Sequence, residues 1–200
     1  MTTALIDTST ANIASVRYAL ERLDAPYVLA RTPAEAEGCD RLILPGVGAA
    51  GAAMKTLDAA GWSDALRAER RPVLGLCLGM QLLFEWSQES DRSLLGLIPG
   101  RIERLDPGED GPWPHMGWNA LEDFAEGEPL LAGVNPGDRV YFVHGFHALA
   151  GDYTLASVRY GARITAMARR GNVAGCQFHP ERSAGVGARI LSNFITGEAP

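Results

Sequence analysis

Apolar positions in the first half of the chain follow two alternating patterns. Short aliphatic runs at Ala4–Ile6, Tyr27–Ala30, Arg41–Leu44 and Val73–Leu76 predict strands. Between the first two, Ile13, Val16, Leu20 and Leu23 recur at helical spacing, with Asn12 suited to cap that helix. Pro45-Gly46 is expected to end the third strand, and a helical stretch from about Ala49 to Leu66, broken at Gly61, leads into the fourth. This strand–helix–strand rhythm predicts a parallel sheet with helices on both faces.

The second half reads differently. Gly/Pro-rich segments, Leu105–Pro114 and Gly127–Asp138, separate strands near Arg101–Arg104, Val140–Val143, Thr154–Tyr160, Ile164–Ala168 and Val173–Phe178. Several lie close enough in sequence for hairpins, so antiparallel additions are expected here. Val186, Ile190, Leu191, Phe194 and Ile195 form an apolar stripe on a closing helix. The expected fold class is α/β, with an open, mixed but mainly parallel sheet flanked by helices. Residues 1–200 are expected to form one domain, since a chain of 200 residues has little room for two.

Composition narrows the function classes. A net charge of −6 disfavours nucleic acid as the default partner. The N-terminus lacks the basic start and apolar core of a signal peptide, and no apolar run has spanning length, so a cytoplasmic location is expected. The cysteines are three (Cys39, Cys77 and Cys176), widely spaced and without a C-x-x-C, which argues against a disulfide framework or a zinc site. Cys39 and Cys176 fall near or within strands and read as structural. His144 and His147, at i and i+3, lack a third metal ligand, so no metal is expected. Gly46–Gly51 is rich in glycine but lacks the Lys-Ser/Thr of a phosphate loop. Trp62, Trp86 and Trp113 suggest no role.

Cys77 is different. Gly75-Leu-Cys77-Leu-Gly79 follows a buried strand and opens a helix expected to run from Leu78 to about Trp86. It is the G-x-nucleophile-x-G turn with cysteine in place of serine. A thiol at a helix N-terminus favours the thiolate, and the free N–H of Leu78 is a candidate oxyanion donor. The elbow alone is equally consistent with a small buried residue in an ordinary turn. Val173–Glu181 supplies what a cysteine nucleophile needs: His179 as base and Glu181, two residues on, to orient its ring. Alone, that pair reads as a surface loop; with Cys77 it reads as a triad. Leu44-Pro45-Gly46-Val47-Gly48 offers Gly48 as a second oxyanion donor, or else a simple turn.

Together these segments resemble the class I (triad) glutamine amidotransferases. Pro114-His-Met-Gly-Trp-Asn119 and Val140-Tyr-Phe-Val-His144 narrow the resemblance to the glutaminase subunits of imidazole glycerol phosphate synthases, in matches spanning nearly the whole chain. The resemblance implies that Cys77 is the nucleophile, His179 the general base and acid, and Glu181 the orienting carboxylate. It implies glutamine contacts at Gly46, Gln81, Glu89 and the backbone of His144, Gly145 and Phe146. It also implies an interface, through Asn12, His115, Met116, Trp118, Asn119, Tyr141 and Arg182, with a (βα)₈-barrel cyclase subunit in a heterodimer that channels ammonia for histidine biosynthesis. No cofactor is implied. On residue types alone, His115, Met116 and Trp118 read as packing.

The sequence departs from the family pattern at Thr8–Ala11, where glycines are usual, at Gly145, where Ser or Thr is usual, and at Arg182, where Lys is usual. Glutaminases serving other synthases, an independent cysteine hydrolase and a non-catalytic module are the alternatives. The segments at His115–Asn119 and Tyr141–His144 disfavour the first, and a complete Cys77/His179/Glu181 set disfavours the last.

Overall fold

A computed structural model describes residues 1–7 and 13–197. Asn12 and the departures at Thr8–Ala11 lie outside the described residues. In chain order the elements are β1 (Thr3–Ile6), α1 (Ile13–Arg22), β2 (Tyr27–Ala30), β3 (Arg41–Gly46), α2 (Ala50–Ala59), α3 (Trp62–Ala68), β4 (Val73–Cys77) and α4 (Leu78–Leu82). There follow β5 (Trp86–Ser87), β6 (Arg92–Ser93), β7 (Arg101–Arg104), β8 (His115–Ala120), β9 (Arg139–His144) and β10 (Phe146–His147). The chain closes with β11 (Thr154–Tyr160), β12 (Ala162–Arg170), β13 (Val173–Cys176) and α5 (Ala184–Thr196).

The main sheet has seven strands in the order β11-β12-β13-β4-β3-β1-β2. It is parallel from β13 to β2 and antiparallel across β11, β12 and β13. Strand side chains alternate between two apolar layers, as the pleat requires. Leu5, Ile43, Leu74 and Leu76 pack with α1 and α5, while Ala4, Ile6, Leu42, Leu44 and Val73 pack with α2, α3 and α4. Trp62 anchors the second layer at 2% exposure, and its indole N–H donates to the Arg31 carbonyl at 3.0 Å. Among the described residues no helix is long and apolar enough to cross a membrane.

Two expected boundaries are corrected. The third strand does not stop at Leu44: Pro45 pairs with Leu76 and Gly46 with Cys77, so β3 runs alongside β4 to its tip. The elbow helix stops at Leu82, four residues before Trp86. Two tight turns follow it, and the Glu85 N–H then donates to the Gly100 carbonyl at 3.1 Å. Trp86 starts a strand of a second, four-stranded sheet, β10-β7-β5-β6. Local helical periodicity yields here to a pairing with residues 15 positions downstream, Trp86 with Arg101 and Ser87 with Ile102. β8 and β9 form a separate antiparallel pair in which His115 lies opposite His144 and Trp118 opposite Tyr141.

Candidate active site

Cys77 closes β4 with φ 52° and ψ −111°. A non-glycine residue at positive φ is strained, and such strain persists only where packing over-determines it. The packing is visible next door. A Cβ on Gly79 would lie 1.8 Å from the Leu44 carbonyl oxygen, and one on Gly75 would lie 2.6 Å from the Gly79–Met80 peptide. The two flanking glycines let α4 settle onto β3 and β4, and that contact forces the turn at Cys77.

His179 follows β13, the parallel neighbour of β4, so both residues lie at the same, carboxyl, end of the strands. The His179 backbone N–H donates to the Tyr141 carbonyl at 3.0 Å, and the Ser183 hydroxyl donates to the His179 carbonyl at 2.7 Å. The ring Nδ1 donates to Glu181 Oε1 at 2.8 Å, and both side chains are almost fully buried. The other oxygen, Glu181 Oε2, is buried with no hydrogen-bond partner among the described residues. Burial disfavours charge on His179, but hydrogen bonds to Cys77 and Glu181, with their negative charge, outweigh it and raise the ring to about 10. The imidazolium is therefore the resting form beside the sulfur. α4 has only five residues, so it brings no long helix dipole to the sulfur.

Cys77 opens into a cleft of about 230 Å³ whose walls include Val47, Gly48, Leu78, Gln81, Glu89, His144, Gly145, Phe146 and His179. Most residues expected at the substrate therefore share one space with the nucleophile. Gly46 does not: it is the last rung beside Cys77, and a Cβ there would meet the Gly79 nitrogen at 2.7 Å. It packs there as the tip of β3. Gln81 spends its carboxamide N–H groups on the Phe146 carbonyl at 2.8 Å and Gln177 Oε1 at 3.0 Å. Glu89 Oε2 accepts from the Ala50 N–H at 2.7 Å. It thereby caps α2, whose own N-cap, Ala49, has no side chain to do so.

Trp113, without a role in the sequence reading, closes over Gly145. Its indole N–H donates to the Gly145 carbonyl at 3.0 Å, and a Cβ on Gly145 would lie 2.6 Å from its Cζ2. The departure from Ser or Thr at Gly145 thus has a steric cause in this chain. The Arg104 guanidinium stacks on the same indole at 4.1 Å. Gln177 is the other residue the sequence reading passed over; a glutamine inside an apolar strand was the available signal.

Met116 and Trp118 share one exposed face of β8, at 61% and 45%. Trp118 meets Tyr141 edge-on at 6.1 Å. Arg182 is exposed beside the triad turn, whereas His115 is buried and Asn119 half-buried. Cys39 and Cys176 are buried free thiols, and burial pushes the Cys176 thiol above the ordinary range. His147 is buried as well, and among the described residues no group of three or more His, Cys, Asp or Glu side chains could hold a metal ion.

Residues 4–197 match the family model described as glutamine amidotransferase class-I. The chain is 48% identical over 197 residues to imidazole glycerol phosphate synthase subunit HisH of Xanthomonas euvesicatoria pv. vesicatoria, with 98% of each chain covered. It is 44% identical to the subunit of that name in Vibrio cholerae, with 96% of each covered. Among solved structures, a glutamine amidotransferase superposes with a TM-score of 0.74 at 22% identity over 96% of each chain. PurLQS from Thermotoga maritima gives 0.69 at 20% identity, also over 96% of each. At these identities the structural likeness establishes the fold.

Proposed function

The chain belongs to the class-I glutamine amidotransferase family, and from that premise we propose that it is the glutaminase subunit of an imidazole glycerol phosphate synthase. It hydrolyses glutamine to glutamate and passes ammonia to a (βα)₈-barrel cyclase subunit, which makes imidazole glycerol phosphate and aminoimidazole carboxamide ribotide in histidine biosynthesis. The observation that supports this reading is a cleft lined by Cys77, His179, Gly48 and Leu78, with Glu181 Oε1 2.8 Å from the His179 ring behind it.

The Cys77 thiolate attacks the side-chain amide carbon of glutamine. The backbone N–H groups of Leu78 and Gly48 receive the oxyanion that develops; one such donor contributes about 2.7–4 kcal/mol to the transition state. His179 gives its Nε2 proton to the departing nitrogen, so ammonia leaves and a thioester remains. The neutral ring then takes a proton from water, which attacks the thioester, and glutamate leaves as the thiolate returns. Glu181 holds Nδ1 throughout and stabilises the imidazolium. Glu89 offers a carboxylate to the substrate ammonium, and the His144–Phe146 turn offers backbone N–H groups to its carboxylate.

The exposed Met116 and Trp118 supply an apolar face suited to the barrel subunit, with Arg182 contributing a cation nearby. The test is glutamate release with and without the barrel subunit. Release that rises when subunit and ribonucleotide are added supports the reading; full activity of the lone chain, with no association, rejects the partnership.

A further inference from the structure

His115 is 3% exposed and lies flat between two rings, Phe142 at 4.7 Å and Tyr160 at 4.0 Å. Stacking explains its burial but not its nitrogens, both of which are engaged. Nδ1 lies 3.0 Å from His144 Nε2, and Nε2 lies 3.4 Å from Asn119 Nδ2. His144 Nδ1 in turn lies 2.9 Å from the Phe146 carbonyl, the same oxygen that receives the Gln81 carboxamide.

We propose that His115 is a positioning residue for the glutamine site: by donating to His144 it holds the Phe146 carbonyl, and with it the Gln81 side chain, in place.

The polarity of every link is fixed by its ends. A carbonyl only accepts, so His144 Nδ1 carries the hydrogen. Burial holds His144 down at about 3 and His115 at about 4, so both rings are neutral near pH 7. His144 Nε2 must then accept, and His115 Nδ1 must donate to it. That leaves His115 Nε2 as an acceptor, for which Asn119 Nδ2 is the donor. Asn119 is oriented for this, because its Oδ1 accepts from the Ala120 N–H at 2.8 Å and its Nδ2 also donates to the Arg159 carbonyl at 3.0 Å. No link has to run both ways.

The row crosses from the β8 strand, which carries Met116 and Trp118, to a wall of the cleft beside Cys77. The consequence for catalysis rests on the reading of that wall as the glutamine site. Removing the His115 donor leaves a buried acceptor on His144 unsatisfied, and frees its ring to rotate or change tautomer. The Phe146 carbonyl then loses one of its two donors.

Two variants of the full chain, assayed with its synthase partner, separate this role from packing. His115→Phe keeps the stack and removes the donor, while His115→Asn keeps a donor near the Nδ1 position and removes the stack. The expected result is a glutamine KM raised about tenfold in the Phe variant and largely restored in the Asn variant. Ammonia-dependent synthesis should be unchanged in both. A Phe variant with wild-type KM overturns the proposal.

If both variants lose affinity, the ¹⁵N signal of His144 Nε2 decides. Movement toward an unbound acceptor in the Phe variant but not the Asn variant supports the link, and an unmoved signal in the Phe variant overturns it. Should the wild-type protein release no glutamate, the functional reading fails by itself, and the ¹⁵N measurement still tests the hydrogen bond.

Discussion

Gly75 of β4 and Gly175 of β13 lie opposite each other in parallel register, and neither has room for a side chain. The first faces the Gly79–Met80 peptide and the second the Met80 side chain, each with a hypothetical Cβ at 2.6 Å. α4 therefore rests on both strands at once. That contact brings the ends of β4 and β13 together, and with them Cys77 and His179.

Gly175→Ala is expected to destabilise the fold by about 1–3 kcal/mol, because Met80 must leave a filled position. Gly75→Ala should cost more, since what it meets is backbone. Denaturant midpoints at constant m would rank the two, and two neutral substitutions would refute this account of the elbow.

Cys77→Ala should abolish glutamine use while ammonia still supports synthesis by the partner, and retained glutamine use would falsify the nucleophile. The same variant should lower the pKa of His179 from about 10, since one of the groups that raise it is gone. The folded value lies above the ordinary 6.5, so this ring's contribution to stability is complete below about 6.5 and is lost as pH climbs toward about 10. Stability measured across that window should fall less steeply in the variant. Titration of the His179 ring by NMR would check the shift directly.

Glu89→Gln keeps an oxygen for the Ala50 N–H, so α2 stays capped, but removes the carboxylate proposed to meet the substrate ammonium in the cleft. Glutamine KM should rise roughly tenfold with little change in melting temperature. An unchanged KM would leave Glu89 as a cap alone.

Gly145→Ser restores the residue type usual in the family but drives a Cβ into Trp113. The indole should be displaced, with a shift in tryptophan fluorescence and weaker glutamine binding as its hydrogen bond to the Gly145 carbonyl is lost. Adding Trp113→Ala should relieve the clash and recover part of the binding. A single Ser variant indistinguishable from wild type would show that the indole can move at no cost.

Much of the fold was legible because its signals are local. The runs at Ala4–Ile6, Tyr27–Ala30 and Val73–Leu76 are too short and too aliphatic for surface helices, and the near-continuous apolar runs of β1 and β4 match their burial on both faces. The proposed triad could be picked out because an elbow needs particular glycines around a nucleophile, and a base needs an orienting group close in sequence. Less legible was the stretch after Leu82. Its apolar residues Leu83 and Phe84 suit a helix as well as a turn, and only the pairing of β5 with β7 decides between them.

The sequence by itself determined the chemical groups, the order of strands and helices along the chain, and the family to which they belong. It did so through periodicities and spacings that act within a few residues. Tertiary structure decided what those groups touch. It made Gly46 a rung of the ladder, set Trp113 over Gly145, turned Glu89 into a cap for α2, and aligned His115, His144 and Phe146 in one directed row. Each of these depends on a contact between positions far apart in the chain or across a strand pair. Such contacts carry no period that a linear reading can detect, and they exist only once the layers have packed.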